Sequence, residues 1–188
     1  MDWYRIRHTI CLHLTYSAIS RARYMKKHNI FYHMGDDCMV MFRKIPLYPK
    51  LISIGNNVRI ASDVTLVTHD VIHTMINKSR EDINLQEHLG CVKIEDNVFI
   101  GADSIILPNV TIGSNTIVAA GSLVAKSLPG NGVYGGTPAS YICSIDEFIN
   151  KRQDAAQINI VRSKKGGLSK ETIEDCWKMF CDTEERNR

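Results

Sequence analysis

Residues capable of proton transfer cluster in the middle of this 188-residue chain, around the triplet Thr68-His69-Asp70. Histidine is the side chain best suited to act as a base near neutral pH, because its unperturbed pKa is about 6.5. Such a base needs a partner that orients its second ring nitrogen. His69 is therefore a candidate catalytic base, and Asp70 is a candidate for setting the local field or binding a substrate; a solvent-facing structural histidine is the alternative. The candidate orienting carboxylates, among which the sequence does not choose, are Glu81, Asp82 and Glu87.

A six-residue repeat of aliphatic side chains surrounds the triplet and predicts how it is positioned. A helix cannot explain this period, because six is not a multiple of 3.6 and the aliphatic residues would rotate around the helix surface. A three-sided coil of short parallel strands explains it, since one aliphatic residue per hexapeptide then points inward and stacks on its equivalent in the next coil. Small or turn-prone residues are expected at the corners, where left-handed backbone is tolerated. The inward residues are Ile54, Ile60 and Leu66 and, after a break, Ile94, Ile100, Ile106, Ile112, Val118 and Val124; the corner residues include Gly55, Asn56, Asn57, Gly101, Asn109, Gly113 and Asn115.

The segments outside the repeat predict a division into an N-terminal helical region (1–33), a coil (34–145), and a C-terminal linker and helix (146–188). Residues 2–28 contain neither Gly nor Pro and are expected to form a helix that packs on the coil or caps its end. The polar stretch 72–91 leaves the repeat and predicts a loop that protrudes from one corner, a feature that is usually functional in a compact repeat. Residues 150–168 are predicted to be a linker with a flexible break at 164–167. Ser169 is the predicted N-cap of a helix on which Ile173, Trp177 and Phe180 share one face.

The composition is that of an ordinary globular protein, with 44% hydrophobic and 23% charged residues. No stretch reaches the roughly 18–20 apolar residues of a membrane span, no secretory signal is expected, and no nucleic-acid-binding motif occurs. The six cysteines are scattered without a CxxC pair, which favours reduced thiols and a cytoplasmic location. The net charge is only +3, but basic side chains concentrate in residues 1–50. They form either a solvated helix face or a patch that attracts anions such as nucleotide phosphates or a membrane surface.

An ordered series of motifs resembles the hexapeptide-repeat O-acetyltransferases, close to the galactoside/maltose, polysaccharide and xenobiotic acetyltransferases. The resemblance covers about residues 52–143 and implies an all-β core, a left-handed parallel β-helix, with helices at both ends of the chain. It also implies a homotrimer with active sites at subunit interfaces, and acetyl transfer from acetyl-CoA to a hydroxyl of a small acceptor, a sugar or polysaccharide precursor. The motifs are VFIGA (98–102), ILPNVTIG (106–113), VAAGSLVAK (118–126) and GGTPA (135–139).

The same resemblance implies roles for individual residues. His69 matches the place of the family's general base, and CoA is expected along the groove between coils of adjacent subunits, with no metal. The family usually has Trp at the position of Phe99, and basic residues at those of Ser140 and Cys143. How the CoA phosphates are held is therefore open, with Lys126, Lys151 and Arg152 as candidates. The expected CoA contacts are Phe99, Ala102, Ala120, Gly121, Ala125, Lys126 and Pro138.

Three other functions remain open at this point. A γ-type carbonic anhydrase shares the left-handed coil and holds zinc through three histidines, and His69, His73 and His88 lie near one corner here, although their spacing differs from that family's. An N-acetyltransferase acting on an amino sugar would have the same coil. A non-catalytic coil subunit that assembles with another enzyme is the third.

Overall fold

The computed structural model describes residues 3–155, 158, 160–163 and 167–186. The chain divides into two compact units, residues 1–148 and 149–188. Within the first unit the strands form three sheets. Sheet one contains β1 (His33–Met34), β3 (Ile52–Ile54), β6 (Val92–Ile94) and β9 (Val110–Ile112). Sheet two contains β2 (Met39–Val40), β4 (Arg59–Ile60), β7 (Val98–Ile100), β10 (Thr116–Val118), β12 (Gly132–Gly136) and β13 (Ala139–Ser144). Sheet three contains β5 (Thr65–Leu66), β8 (Ile105–Ile106) and β11 (Leu123–Val124).

Successive strands visit the three sheets in turn, so the chain winds into a three-sided coil. Strands β3, β4 and β5 form one turn of the coil, β6, β7 and β8 the next, and β9, β10 and β11 the one after that. Neighbouring turns pair in parallel and in register, with Ile94 opposite both Ile54 and Ile112. The exception is the last pair of sheet two, where β12 and β13 are antiparallel. This topology confirms the coil of parallel strands that the six-residue period predicted.

The core of the coil is the predicted column of aliphatic side chains. Each inward residue of the repeat, from Ile54 to Val124, is at most 5% exposed, and such burial is worth roughly 1.5–3 kcal/mol per large aliphatic side chain. Three buried hydroxyl residues of the interior, Ser104, Thr116 and Ser122, bond to backbone carbonyls. The buried Oγ1 of Thr68 has no hydrogen-bond partner within the described residues. Ser104 donates to the carbonyl of Gly101 at 2.8 Å, and Ser122 donates to that of Ala119 at 2.6 Å.

The corner between sheets one and two is stabilised by a ladder of asparagine side chains. Asn57 donates from Nδ2 to Oδ1 of Asn97 at 2.9 Å, Asn97 donates to Asn115 at 3.0 Å, and Asn115 donates to Asn131 at 2.9 Å. All four have φ between 49° and 58°, the left-handed region that Asn tolerates better than most residues. This confirms the predicted left-handed backbone at Asn57 and Asn115, and Asn109 also has a positive φ, of 61°, whereas Asn56 does not.

The corner glycines have a different role from the one predicted. The φ angle of Gly101 is not positive. Glycine is needed here because the next turn of the coil approaches too closely for a side chain to fit. A Cβ atom at this position would lie 2.4 Å from the backbone nitrogen of Ala120. Gly55 and Gly113 are restricted in the same way, by Asp96 and Pro129 respectively.

The N-terminal region forms two helices, not the single helix predicted: α1 (Trp3–Leu14) and α2 (Ala18–Lys27). The break occurs because Ser17 caps α2, accepting a hydrogen bond from the backbone nitrogen of Ser20 at 3.0 Å. Leu12 and Met25 are fully buried and belong to the same hydrophobic cluster as the coil. The prediction that this region packs on the coil is confirmed.

Two segments predicted to be irregular contain helices. The stretch 72–91, here called the protruding segment, begins with α3 (Ile72–Ser79). Helix α4 (Ile145–Asp154) extends into the predicted linker, whose residues 164–166 lie outside the described part of the chain.

In the second unit, α5 (Lys170–Arg186) begins after the predicted N-cap, because Ser169 Oγ accepts from the backbone nitrogen of Thr172 at 3.2 Å. Trp177 and Phe180 contact each other edge to face, and each is more than half exposed. Among the described helices, none combines the length and apolar character needed to cross a lipid bilayer. All six cysteines are free thiols.

Candidate active site

His69 lies where the chain leaves the coil, at the edge between sheets three and one. The protruding segment departs after Asp70 and returns beside its own starting point. His69 forms an antiparallel bridge with Leu89, and the backbone nitrogen of Gly90 donates to the carbonyl of Thr68 at 2.9 Å. These contacts fix the backbone of His69 on both sides, as expected for a residue that must hold a ring in one orientation.

The ring of His69 packs against Tyr48, a residue that the sequence analysis did not identify. The two rings are 5.1 Å apart between centroids and nearly perpendicular, at 85°. The hydroxyl of Tyr48 contacts both carboxylate oxygens of Glu87, at 3.0 and 3.1 Å. This hydrogen bond, with burial and the carboxylate charge as smaller causes, raises the pKa of Tyr48. Pro46 and Pro49 flank Tyr48 outside the regular repeat, so no periodic signal marked it.

Of the three candidate orienting carboxylates, Glu87 is the one connected to His69, and the connection runs through Tyr48. Asp82 pairs with Arg80 instead, and Glu81 is exposed. Nδ1 of His69 is itself buried and has no hydrogen-bond partner within the described residues. The structure therefore adds Tyr48 to the group around His69, and it gives no direct hydrogen bond from a carboxylate to the imidazole.

A cavity of about 860 Å³ lies beside His69, which forms part of its wall. One side consists of β5 and its flanks, from Ser62 to Val67. The facing side comes from residues 41–47 and from the two N-terminal helices, which contribute Arg5, His13 and Arg21. The cavity is large enough for a small organic acceptor.

Asp70 lies beside His69, where the protruding segment leaves the coil. It is half-buried, and its Oδ1 accepts a hydrogen bond from the backbone nitrogen of Ile72 at 3.0 Å. This contact fixes the start of α3. Asp70 therefore holds the protruding segment close to His69.

The residues expected to contact CoA lie on two edges of the coil. Ala125 and Lys126 follow β11, on the same edge as His69. Because two strand spacings separate β5 from β11, Lys126 lies about 10 Å from His69 along the coil axis. Both residues are exposed.

The other expected CoA contacts lie on or beside the edge between sheets two and three. Gly121 has φ 68°, and no atom lies within 4 Å of the position where its Cβ would be. Thr137, in the turn between β12 and β13, donates to the carbonyl of Gly121 at 3.4 Å and so brings neighbouring Pro138 to this edge. Phe99 is 43% exposed on sheet two, next to the exposed or partly exposed group of Ala102, Ala120 and Gly121. The width of sheet three separates these residues from His69 within one chain.

The histidines that suggested a zinc site do not form a cluster of ligands. His73 lies in α3 and His88 is exposed on the returning part of the protruding segment. In the described part of the chain, no group of three or more His, Cys, Asp or Glu side chains is arranged to hold a metal ion.

A coil of hexapeptides with a histidine at one edge and small residues at another is similar to the hexapeptide-repeat transferases, and comparisons with known proteins agree with this class. A family model described as "Bacterial transferase hexapeptide (six repeats)" matches residues 91–126. Protein CapG from Staphylococcus aureus is 41% identical over 121 residues, which cover 63% of this chain and 69% of that protein. The chain belongs to the hexapeptide-repeat transferase family.

Two further comparisons concern acetyltransferases. The galactoside O-acetyltransferase of Escherichia coli K12 is 35% identical over 116 residues, covering 61% of this chain and 55% of that protein, so the chain spans just over half of this relative's length. The hexapeptide-repeat acetyltransferase VCA0836 from Vibrio cholerae O1 biovar eltor, whose crystal structure contains acetyl-CoA, superimposes with a TM-score of 0.51 at 24% identity. That match covers 75% of this chain and 85% of that protein and establishes similarity of fold.

Proposed function

We propose that this protein is an acetyl-CoA-dependent O-acetyltransferase that acts on a hydroxyl group of a sugar or polysaccharide precursor. The observation that carries the proposal is the position of His69, which is held at a coil edge and forms the wall of a cavity of about 860 Å³. A relative that is 35% identical and carries the name galactoside O-acetyltransferase supports the reaction and the acceptor class.

The chemistry needs one base and a way to hold the developing oxyanion. His69 accepts the proton of the acceptor hydroxyl while the oxygen attacks the thioester carbonyl of acetyl-CoA. The carbon–sulfur bond then breaks, the acetyl group stays on the acceptor oxygen, and the imidazolium returns the proton to the CoA sulfur. Both substrates are bound together, so no acyl-enzyme forms. Tyr48 packs against the ring of His69 and is itself held by its hydrogen bond to Glu87, so these two residues position the imidazole.

The edge between sheets two and three, here called the donor edge, suits an extended thioester substrate. Ala102, Ala120 and Gly121 are small and leave the backbone accessible to the pantetheine arm, and Phe99 supplies an apolar wall. Lys126, on the same edge as His69, is the cation expected to contact a CoA phosphate, with Ala125 beside it. Pro138 is expected to contact the adenine end of CoA.

The active site is shared between copies of the chain. The His69 edge and the donor edge are separated by the width of sheet three in one chain, so a second copy that packs its donor edge against His69 completes the site. A homotrimer provides three such interfaces by symmetry. Residues 34–145 form the acyltransferase domain, and the coil is left-handed, as in the family that the chain belongs to. A cytoplasmic location, predicted from the scattered thiols, belongs to the same proposal.

The proposal is tested by measuring release of the CoA thiol from acetyl-CoA with a panel of neutral and charged sugars. His69→Ala should lower acceptor-dependent release by roughly 10²- to 10⁴-fold, the contribution of a general base. His33→Ala is the matched control, since His33 is exposed on β1. Unchanged release in the His69 variant would refute the catalytic assignment. Failure of every acceptor, together with no binding of acetyl-CoA, would refute the reaction class.

A further inference from the structure

The cavity beside His69 carries a strong excess of positive charge. Four cationic side chains line it, together with one carboxylate, that of Asp63; the cations are Arg5, Arg21, Arg43 and Lys44. A cleft lined by charges of one sign concentrates ligands of the opposite sign. Some of the basic side chains that are concentrated in residues 1–50 therefore line one cavity.

Arg21 is the most unusual of these cations, because it is only 1% exposed. Its Nε donates to the carbonyl of Val40 at 2.9 Å, and its Nη1 donates to that of Thr15 at 3.0 Å. These carbonyls satisfy hydrogen bonds but do not neutralise the charge. A buried charge is costly unless it is paired with an opposite charge.

Arg43 adds a second positive charge next to the first. Burial lowers the pKa of Arg21. The nearby positive charge of Arg43 lowers it further, because the two guanidinium groups repel each other. Arg43 is half-buried and donates to the carbonyl of His13 at 2.8 Å. Within the described residues, the ion pairs involve other cations, namely Lys26, Arg80 and Lys93. Arg21, Arg43 and Lys44 thus share one cavity with no carboxylate within ion-pair distance in that part of the chain.

We infer that this cavity binds an acceptor carrying an anionic group, a phosphate or a carboxylate, which Arg43 and Lys44 contact while the acceptor hydroxyl faces His69. The inference rests on the proposed function, since His69 in the wall assigns the cavity to the acceptor. Arg21 contributes positive charge without contacting the acceptor, because its Nε and Nη1 donate to backbone carbonyls and its Nη2 faces Sδ of Met41 at 3.6 Å. The small residues of the donor edge lie across sheet three, and Lys126 lies about 10 Å from His69 along the coil axis, so the phosphates of CoA have a different cation available.

The test compares acceptors that differ only in the anionic group: galactose, galactose 1-phosphate and galacturonic acid. Dissociation constants are measured by calorimetry in the presence of CoA, independently of turnover, and KM is measured in the thiol-release assay. The test variant is R43Q/K44Q. The matched control is R23Q/K27Q, which removes the same charges from exposed positions of α2 that do not line this cavity. Arg21 is left intact because its removal would disturb the core.

The wild type should bind at least one anionic sugar roughly ten- to a hundred-fold more tightly than galactose, the effect of charge-assisted hydrogen bonds. R43Q/K44Q should abolish that preference without changing the dissociation constant of acetyl-CoA, and R23Q/K27Q should retain it. Preference for phosphate over carboxylate, or the reverse, identifies the anion.

Equal binding of neutral and anionic sugars would overturn the inference. So would a weaker affinity for acetyl-CoA in R43Q/K44Q, since the cations would then serve the CoA phosphates. If anionic sugars bind in an Arg43-dependent manner but no acceptor, anionic or neutral, is acetylated, the anion site stands and the proposed reaction fails.

Discussion

Replacing Asn97 by alanine should destabilise the coil by about 2 kcal/mol, because two features of the asparagine ladder are lost together. The first is hydrogen bonding: Asn97 accepts from Asn57 at 2.9 Å and donates to Asn115 at 3.0 Å. A net side-chain hydrogen bond is worth about 0.5–1.5 kcal/mol. Asn97 is exposed, so water replaces part of each bond and the lower figure applies, giving about 1 kcal/mol for the pair.

The second feature is the backbone. Asn97 has φ 58°, and an ordinary L-residue pays about 1–2 kcal/mol in this region. Glycine is not strained at positive φ, but it raises the conformational entropy of the unfolded chain. Asn97→Gly should therefore be less destabilising than Asn97→Ala by about 0.5 to 1 kcal/mol, although glycine is normally the more disruptive substitution.

The assay is equilibrium unfolding in denaturant, extrapolated to water, at one fixed protein concentration because association changes apparent stability. The alanine variant should also lower Tm by about 4–8 °C for a chain of this size. Asn84→Ala, at an exposed position of the protruding segment, is the control and should change stability by less than about 0.5 kcal/mol. If Asn97→Ala is as stable as the wild type, or more stable than Asn97→Gly, the reasoning about the ladder is refuted.

Three further predictions concern single residues. Burial, with smaller contributions from neighbouring positive charges, lowers the pKa of His8. Since the unfolded chain then binds the proton more readily, stability should fall as the pH drops below about 6.5, and His8→Gln should flatten this part of the unfolding profile; an unchanged profile would contradict it. Tyr48→Ala should lower kcat by about 10²-fold through misplacement of His69, whereas Tyr48→Phe, which keeps the ring, should lower it by about tenfold or less. Equal effects of the two substitutions on kcat would argue against a positioning role. Gly101→Ala should lower stability by at least about 2 kcal/mol in thermal unfolding, because its Cβ would meet backbone atoms that cannot move aside; a wild-type Tm would refute this.

The coil could be predicted from the sequence because its determinants repeat. Each aliphatic residue from Ile54 to Val124 occupies an equivalent environment, so the same pattern appears many times and its period excludes a helix. The asparagine corners were predictable for the same reason. The prediction that the corner glycines serve a left-handed backbone was wrong. Glycine is needed there because neighbouring turns approach closely, as at Gly101 and Ala120, and local backbone preference does not reveal such a contact.

The site was only partly predictable, because its parts come from elements that do not repeat. His69 stood out at the point where the pattern breaks. Tyr48 and Glu87 are 39 residues apart in the chain and meet only through the return of the protruding segment. The cationic cavity brings Arg21 and Arg43 together from a helix and an irregular segment. No local pattern encodes such contacts, which depend on how the N-terminal helices pack on the coil.

We expect His69 of one copy and the donor edge of another to form one acetyl-transfer site, and activity measured after mixing two inactive variants tests this. His69→Ala removes the base, and Ala120→Trp places a large side chain on the donor edge. In trimers assembled from equal amounts of the two chains, roughly a quarter of the interfaces pair an intact His69 with an intact donor edge. The mixture should therefore recover roughly a quarter of the wild-type rate of acceptor-dependent thiol release, while each variant alone stays inactive. If mixed trimers are no more active than the separate variants, the two edges do not act together, and the account of the site is wrong.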